Sequence, residues 1–263
     1  MPGALPPPLH LLAQDPAATA IFADFDGTLA PIVADPAAAR PLPGADRVLA
    51  RVARRFGLVA VVSGRPAAFL AEALPGAAGV RLVGLYGLET VGENRSVQVT
   101  AEAEGWRPVV AEVIARARDA APVGLGVESK GLTVALHWRR HPEAEGWARA
   151  FAQSEAERTG LDIQQARMAV ELRPAIETDK GTVVRHLAAG ATAVGYFGDD
   201  LGDLPAFAVL EELAEAGVRV ARVAVADAES PADLALAADV VVDGPRAVLD
   251  LLSSLAGIPP AER

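Results

Sequence analysis

Short apolar runs that end in charged or hydroxyl residues restrict the fold of this 263-residue chain more than any other feature. Three of these runs are Thr19–Ala23, Leu58–Val62 and Thr192–Phe197. A strand that is apolar on both faces is typical of a parallel sheet with helices on each side. Segments with helical periodicity, such as Gly44–Phe56, separate the runs. The alternation predicts an α/β fold, with an open, Rossmann-like parallel sheet and right-handed crossovers.

A different order of elements interrupts this alternation. The predicted elements there are a helix over Glu104–Ala120, strands over Val123–Glu128 and Leu132–Trp138, a helix over Pro142–Thr159, and strands over Leu161–Met168 and Ala169–Arg173. The order αββαββ is typical of a small antiparallel sheet with its helices on one face. The sequence therefore predicts a core formed by residues 1–95 and 177–263, with an inserted α+β domain over residues 96–176.

The N-terminal segment carries no recognisable targeting signal. It has no basic region, and proline interrupts its apolar stretch, so we expect residues 1–15 to form a frayed leader. No run in the chain approaches the ~20 apolar residues that a membrane helix needs. These features predict a cytoplasmic protein, which we expect to be a monomer.

Charge and cysteine content exclude several classes of function. The net charge of −10 would repel nucleic acid and anionic membranes, so neither is expected as a partner. The absence of cysteine excludes disulfides, thiolate catalysis, zinc fingers and iron–sulfur clusters.

Two aspartates directly follow the first apolar run, in the sequence Asp24-Phe25-Asp26-Gly27-Thr28. Residues two apart in an extended segment project to the same side, so the carboxylates of Asp24 and Asp26 are expected to lie close together. Close carboxylates repel each other unless a divalent cation or a shared proton neutralises them. The alternative interpretation is an ordinary turn, in which Asp and Gly are common.

Two further motifs combine polar groups with a helix start. Ser63-Gly64-Arg65 follows the second run and offers a hydroxyl, a bare backbone and a guanidinium to a phosphate. For Ser63 alone, a cap on the next helix is the simpler interpretation. Lys180 opens another helix against the preference of the helix dipole, which hints at a functional reason. A solvated side chain is the simpler interpretation of Lys180 alone.

Three aspartates within five residues follow the run that ends at Phe197. They are Asp199, Asp200 and Asp203. A capped loop is one interpretation, with Asp203 in the first helical turn. Unpaired acids in such a cluster are costly, which favours a hard cation with oxygen ligands, such as Mg²⁺.

The position of these motifs makes them more informative together than separately. Each lies at the end of a predicted strand or at the start of the following helix. Ligands of open α/β sheets bind outside the carboxyl ends of the strands, so the four motifs are expected to meet at one edge.

The motifs DFDGT, SGR, the lysine of DKG, and GDDLGD resemble, in this order, those of the haloacid-dehalogenase-like (HAD) phosphohydrolases. The resemblance implies that Asp24 is the nucleophile and Asp26 the general acid and base. It implies that Mg²⁺ is held by Asp24, Asp199 and the backbone carbonyl of Asp26, with Asp200 and Asp203 behind these ligands. The implied phosphate-binding residues are Thr28, Ser63, Gly64, Arg65 and Lys180.

Additional stretches resemble the trehalose-6-phosphate phosphatases within that superfamily. They are DFDGTLAPI, GLYGLE, ESKG followed by ALHWR, ELRP, DKG and YFGDD. The resemblance implies that the insertion is a cap and that Glu128, Lys130 and Glu171 hydrogen-bond the disaccharide. Without the resemblance, these three would be interpreted as strand charges that face solvent.

The chain departs from that subfamily at two places. Its fourth motif usually continues with Thr-Asp-Glu-Asp, of which only Asp203 remains here, and Tyr86 stands where His is common. The expected function is Mg²⁺-dependent hydrolysis of trehalose 6-phosphate through an aspartyl-phosphate. The alternatives are a phosphatase of another sugar phosphate (sucrose or glucosylglycerate type), a phosphomutase, and a phospho-receiver module. A receiver is shorter and has no insertion.

Overall fold

The structure, a computed structural model, describes residues 5–33, 38–166, 168–226 and 232–257. The chain divides into two compact units: a core unit, Met1–Gln98 with Thr178–Arg263, and an inserted unit, Val99–Glu177. The boundaries expected from the sequence, 95/96 and 176/177, lie within three residues of these.

The helices and strands alternate through most of the core unit. The strands of the described residues are β1 (Thr19–Ala23), β2 (Leu58–Val62), β3 (Arg81–Gly84), β4 (Glu89–Val91), β5 (Val97–Val99), β6 (Gly126–Ser129), β7 (Val134–His137), β8 (Asp162–Ala166), β9 (Ala169–Arg173), β10 (Ala193–Gly198), β11 (Arg219–Ala226) and β12 (Val240–Asp243). The α-helices are α1 (Pro7–Leu12), α2 (Ala45–Arg55), α3 (Ala67–Ala73), α4 (Ala101–Glu104), α5 (Arg107–Ala120), α6 (Glu145–Thr159), α7 (Lys180–Leu187), α8 (Leu204–Glu215), α9 (Ala232–Ala237) and α10 (Gly244–Leu255).

The core unit contains a sheet in the order β12-β11-β10-β1-β2-β3-β4-β5. The pairs from β12 to β3 are parallel, and β4 runs antiparallel to β3. One face packs against α2, α3 and α10, with Leu49, Leu70 and Leu252 in its core. The other face packs against α7 and α8, with Val184 and Phe207 in its core. The predicted parallel α/β sheet with a helical layer on both faces is confirmed.

The inserted unit contains a second sheet, with the antiparallel order β6-β7-β9-β8. Alternate residues of its strands point to one face, where they form a core with α5 and α6. The buried strand residues of this core include Val134, Leu136, Val170 and Leu172. The predicted αββαββ order and the one-sided helical layer are confirmed.

The prediction of a frayed leader is wrong for the described part of residues 1–15. Helix α1 begins at Pro7, and Leu9 and Leu12 are fully buried against β10 and β11. Proline is tolerated in a first helical turn, and residues three apart share a helix face, so the short helix covers the sheet with two leucines. Residues 1–4 lie outside the described residues.

Several boundaries differ from the prediction for local reasons. The sequence also predicts a strand over Arg81–Leu85. This strand, β3, ends at Gly84 because Leu85 and Tyr86 adopt φ values of 48° and 57°. The three-residue strands β4 and β5 and the short helix α9 were not predicted, since so few residues carry no period. The prolines between Pro31 and Pro43 predict a loop, of which residues 34–37 lie outside the described residues. Residue 167 of the expected strand Leu161–Met168 also lies outside them.

Among the described helices, none has both the length and the apolarity needed to cross a bilayer.

Candidate active site

The polar motifs of the core unit meet at the carboxyl edge of its sheet. Asp24 directly follows β1, Ser63 follows β2, and Asp199 follows β10. Because β1 lies between β2 and β10 in a parallel sheet, these strands end at the same edge. Helix α7 starts at this edge and brings Lys180 to it. We call the cluster of Asp24, Lys180, Asp199, Asp200 and Asp203 the acidic centre.

Lys180 is the cation of the acidic centre and is buried, although it is the first residue of α7. Its Nζ lies 3.0 Å from Oδ1 of Asp24 and 2.7 Å from Oδ1 of Asp203. Burial by itself would lower the pKa of Lys180, yet the carboxylates of Asp203 and Asp24 hold that pKa well above its usual value. The solvated-lysine interpretation is therefore wrong.

Asp203 is fully buried and uses both of its carboxylate oxygens. Oδ1 accepts hydrogen bonds from Nζ of Lys180 and from the hydroxyl of Tyr196, each at 2.7 Å. Oδ2 accepts from the backbone N–H groups of Asp199 and Asp200 at 2.9 and 3.1 Å. The capped-loop interpretation is correct, because Asp200 and Asp203 form a capping box. The same side chain that closes the loop also holds Lys180 at the carboxyl edge.

The carboxylates of the acidic centre together carry more negative charge than Lys180 balances. Asp24, Asp199 and Asp203 each offer an oxygen, and these oxygens lie within 4.8 Å of one another. Burial raises the pKa of Asp24 well above its usual value, against the opposing charge of Lys180. Burial, followed by the charges of Asp203 and Asp200, raises the pKa of Asp199 to about 7. The site thus favours the arrival of additional positive charge.

A hard divalent cation such as Mg²⁺ fits this set of donors, since all of them are carboxylate oxygens. Asp203 already accepts four hydrogen bonds, so Asp24 and Asp199 are the better candidates for direct coordination. An adjacent cation would also favour the ionised forms of both side chains, whose raised pKa values record the cost of burying them unneutralised.

The turn after Asp26 fixes the position of Asp199. Gly27 has a φ of +74°, and a Cβ at this position would lie 1.9 Å from Oδ2 of Asp199. Thr28, which is fully buried, donates its hydroxyl to Oδ1 of Asp199 at 3.4 Å. Thr28 was expected among the phosphate-binding residues, and in this structure its hydroxyl is directed to the Asp199 carboxylate.

Asp26 has a different partner from Asp24. The guanidinium of Arg65 donates two hydrogen bonds to the Asp26 carboxylate, at 2.8 and 2.7 Å. Arg65 also lies over the ring of Phe69, with 4.7 Å from its central carbon to the ring centroid. A bidentate, stacked arginine has one preferred geometry, so Arg65 orients the Asp26 side chain.

The helix-cap interpretation of Ser63 is wrong. Oγ of the buried Ser63 accepts a hydrogen bond from the N–H of Arg65 at 3.2 Å, within the loop. The first N–H of α3, that of Ala67, donates instead to Oε2 of Glu89 at 2.9 Å. A Cβ at Gly64 would lie 2.5 Å from the hydroxyl of Tyr86, so glycine permits this close approach.

The three residues expected to contact sugar each pair with another side chain of the inserted unit. Nζ of Lys130 lies 2.6 Å from Oε2 of the buried Glu171. Oε2 of Glu128 lies 2.8 Å from Nε2 of His137 on the neighbouring strand. In the strand register, Glu128 and Glu171 are both paired with Ala135, so they share the face opposite the apolar core. We call this surface the polar sheet face.

Two residues were missed in the sequence: one supports the acidic centre, and the other caps the helix that follows the Ser63–Arg65 loop. Tyr196 is a polar side chain inside an otherwise apolar, fully buried strand, and a buried tyrosine hydroxyl usually has a partner. That exception could have drawn attention to it. Glu89 lies 22 residues from the backbone group it caps, and no local pattern indicates such a contact.

Solved structures with this fold include a haloacid dehalogenase-like hydrolase from Bacteroides thetaiotaomicron. That chain is 16% identical, with a TM-score of 0.59, and the match covers 90% of this chain and 99% of the other. The C-terminal domain of trehalose-6-phosphate phosphatase from C. albicans gives a TM-score of 0.74 at 24% identity, covering 96% and 98% of the two chains. The fold is that of the haloacid dehalogenase-like hydrolases.

Sequence comparison gives a narrower assignment. The trehalose-phosphatase family matches residues 22–241, and the chain belongs to that family. The trehalose-phosphate phosphatase of Mycolicibacterium paratuberculosis is 37% identical over 198 residues, which are 72% of this chain and 50% of the relative. The chain therefore spans about half the length of the curated relatives it matches.

Proposed function

We propose that the chain is a Mg²⁺-dependent phosphohydrolase that converts trehalose 6-phosphate to trehalose and phosphate. The observation that carries the proposal is the buried Asp24–Lys180 ion pair, 3.0 Å long, beside the carboxylate of Asp199. Membership of the trehalose-phosphatase family supports the choice of substrate.

In the proposed first step, Asp24 is the nucleophile. One of its oxygens bonds to phosphorus while the bond between phosphorus and the sugar oxygen breaks, and that sugar oxygen takes a proton from Asp26. Lys180 lies within ion-pair distance of Asp24, where it reduces the repulsion between the carboxylate and the phosphoryl oxygens. A bound Mg²⁺, held by Asp24, Asp199 and the backbone carbonyl of Asp26, would supply further positive charge there.

In the proposed second step, the aspartyl-phosphate on Asp24 is hydrolysed. Asp26, now ionised, takes a proton from water, the water oxygen bonds to phosphorus, and the bond to Asp24 breaks. The double hydrogen bond from Arg65 supports this role, because it holds Asp26 in one orientation. Asp203 positions Lys180, and Asp200 forms a capping box with Asp203.

The remaining phosphoryl contacts are proposed for the loop after β2. Ser63, Gly64 and Arg65 present a hydroxyl, a backbone without side chain and a guanidinium in consecutive positions. The interaction of Thr28 with Asp199 favours a supporting role for Thr28 rather than a direct one.

Sugar recognition is proposed for Glu128, Lys130 and Glu171, in an inserted unit that acts as a cap. The ion pair of Lys130 with Glu171 and the placement of Glu128 on the same face support the proposal, since paired acceptors and donors suit sugar hydroxyls. The antiparallel sheet with helices on one face fits a cap domain of this class.

A panel of phosphate esters tests the proposal. Phosphate release is measured from trehalose 6-phosphate, sucrose 6-phosphate, glucosylglycerate phosphate and glucose 6-phosphate, each with Mg²⁺ or with EDTA. We expect release from trehalose 6-phosphate, and its loss in EDTA. Preference for another sugar would change the substrate, isomerisation without release would indicate a mutase, and a long-lived phosphoprotein without turnover would indicate a receiver. Activity that persists in EDTA would contradict the role of Mg²⁺.

Other expectations remain predictions. We propose a cytoplasmic location, a monomer, and no nucleic-acid or membrane partner, in keeping with a net charge of −10. Cell fractionation and light scattering test the first two.

A further inference from the structure

A cavity of about 660 Å³ lies between β3–β4 and α7. Its lining includes Arg81 and Val83 of β3, Thr90 of β4, and Thr182 and His186 of α7, and all of its lining residues belong to the core unit. We call it the edge cavity. Its volume lies within the range of about 300 to 1,000 Å³ that is typical of small-molecule sites.

The topology of the core unit explains the cavity. Val83 and Thr90 are cross-strand partners, so they lie on the same face of the sheet, the face that α7 and α8 cover. Val83 is buried beneath this layer, whereas Thr90 is exposed. After β3 the chain continues through β4 and β5 into the inserted unit instead of returning as a covering helix. The last parallel strand and its antiparallel neighbour are therefore left partly uncovered.

The charge of the lining is distinctive. Acidic residues outnumber basic ones by 34 to 24 in the chain, yet no described lining residue of the edge cavity is acidic. The two ionisable side chains of the lining are those of Arg81 and His186. Both are exposed, and neither has an ion-pair partner among the side chains that the structure describes. Such a lining complements an anion.

The ionisable side chains of the edge cavity lie away from the acidic centre. Arg81 is the first residue of β3, at the amino edge of the parallel sheet, whereas the acidic centre lies at the carboxyl edge. His186 is six residues after Lys180 on α7, a separation of about 9 Å along a helix axis. No residue of the acidic centre lines the cavity. The two locations are therefore separate sites.

We propose that the edge cavity is a second ligand site, which binds a small organic anion with an apolar body. The anionic group would lie at Arg81 and His186, where a guanidinium offers two parallel N–H donors. The apolar body would pack against Val83 and Leu187, and the hydroxyl of Thr90 would lie beside it. This inference concerns binding alone and does not depend on the phosphatase activity proposed above.

The probe for this site is 8-anilinonaphthalene-1-sulfonate, an aromatic sulfonate whose fluorescence rises in apolar surroundings. We expect saturable binding of one molecule per chain. Replacing the charge in Arg81→Gln should weaken binding about fivefold or more, because an interaction between opposite charges is lost. Filling the cavity with Thr90→Trp should remove the saturable signal, with the melting temperature recorded to show that the fold persists.

Two matched variants and one neutral probe make the test decisive. Arg185→Gln changes an arginine that lies next to His186 on α7 and pairs with Glu212. Arg51→Gln changes one of three arginines that line a smaller cleft at α2. Neither should affect binding. Equal affinity for the uncharged N-phenyl-1-naphthylamine would overturn the proposal, as would unchanged binding in Arg81→Gln or in Thr90→Trp.

Discussion

The acidic centre of the core unit and the polar sheet face of the inserted unit use charge differently. In the centre, Lys180 and Asp203 are 4% and 0% exposed, and Asp203 accepts four hydrogen bonds. On the polar sheet face, Glu128 and His137 form one pair between neighbouring strands, with side chains 37% and 31% exposed. A buried charge that loses a partner pays its full desolvation cost, whereas an exposed one is rehydrated by water.

This difference predicts that substitutions in the two regions have different effects. The acidic centre is a preorganised network, so a change at one residue is expected to affect stability and chemistry together. The Glu128–His137 pair of the polar sheet face is partly exposed, so a change at Glu128 is expected to affect recognition of the substrate with a smaller effect on folding. Variants in each region can test whether the separation holds.

The largest effect is expected from Asp24→Asn. Loss of the nucleophile should lower kcat by at least about a thousandfold for every phosphate ester, because the covalent route is removed. The fold should persist, since the neutral amide relieves the burial cost that raises the pKa of Asp24. Phosphate release and thermal unfolding measure the two effects. Asp119→Asn, at an exposed acid of α5, is the matched control, and normal turnover in Asp24→Asn would refute the assignment.

A comparison of Asp203→Asn with Asp200→Asn follows. An amide at Asp203 would turn a donor toward either Lys180 and Tyr196 or the backbone N–H groups, so we expect a loss of about 3–5 kcal/mol in the free energy of unfolding. The more exposed Asp200 should lose less than about 1 kcal/mol, because asparagine also caps helices well. Urea unfolding monitored by circular dichroism measures both. Equal losses would contradict the larger contribution that the network assigns to Asp203.

On the polar sheet face, the double variant Glu128→Gln with Lys130→Gln should change recognition. We expect KM for trehalose 6-phosphate to rise by about tenfold or more, since hydrogen bonds to the sugar are lost. KM for p-nitrophenyl phosphate should change by less than about twofold, because this substrate has no sugar. Glu145→Gln, on helix α6 of the same unit, is the control. Equal changes for both substrates would remove Glu128 and Lys130 from sugar recognition.

The smallest effect concerns pH and Mg²⁺. Asp199 has a pKa raised from 3.8 to about 7, so the folded state holds its proton more tightly than the unfolded state does. Without a divalent cation, this contribution to stability is present below about pH 3.8 and is lost as the pH rises through about 7. Mg²⁺ requires ionised carboxylates, so the gain in Tm on adding Mg²⁺ should grow by a few degrees, roughly, between pH 5 and 8.

Calorimetric scans at several pH values, in EDTA and in excess Mg²⁺, measure this dependence. Asp199→Asn should remove most of it, and Asp46→Asn, an acid on α2 outside the centre, should preserve it. A Mg²⁺ effect of the same size at pH 5 and pH 8 would contradict the coupling between the ion and Asp199.

The sequence was informative where burial and chain direction act together. Strands that are apolar on both faces predicted the parallel sheet, and the sheet then predicted where Asp24, Ser63 and Asp199 would meet. The αββαββ order of elements also predicted the antiparallel sheet of the inserted unit. These conclusions depend on patterns that extend over many residues, which is why small errors at element ends did not affect them.

The sequence was less informative where a contact joins distant segments. Taken alone, Lys180 was interpreted as a solvated lysine and Ser63 as a helix cap, because local preference describes only the neighbouring turn. Asp203 and Glu89, 23 and 26 residues further along, decide the two outcomes. For the same reason the supporting hydroxyl of Tyr196 was not predicted. Such choices are made by tertiary packing rather than by propensity.

The parallel pairing of β1 with β10 has a consequence for how such proteins diversify. It ties together the two stretches of chain on either side of the insertion, and every residue of the acidic centre comes from those two stretches. The segment between residues 99 and 177 can therefore be lengthened, shortened or exchanged while the reacting groups keep their anchors. With sugar recognition assigned to the inserted unit, as proposed above, chemistry and choice of substrate can evolve independently, in different parts of the gene.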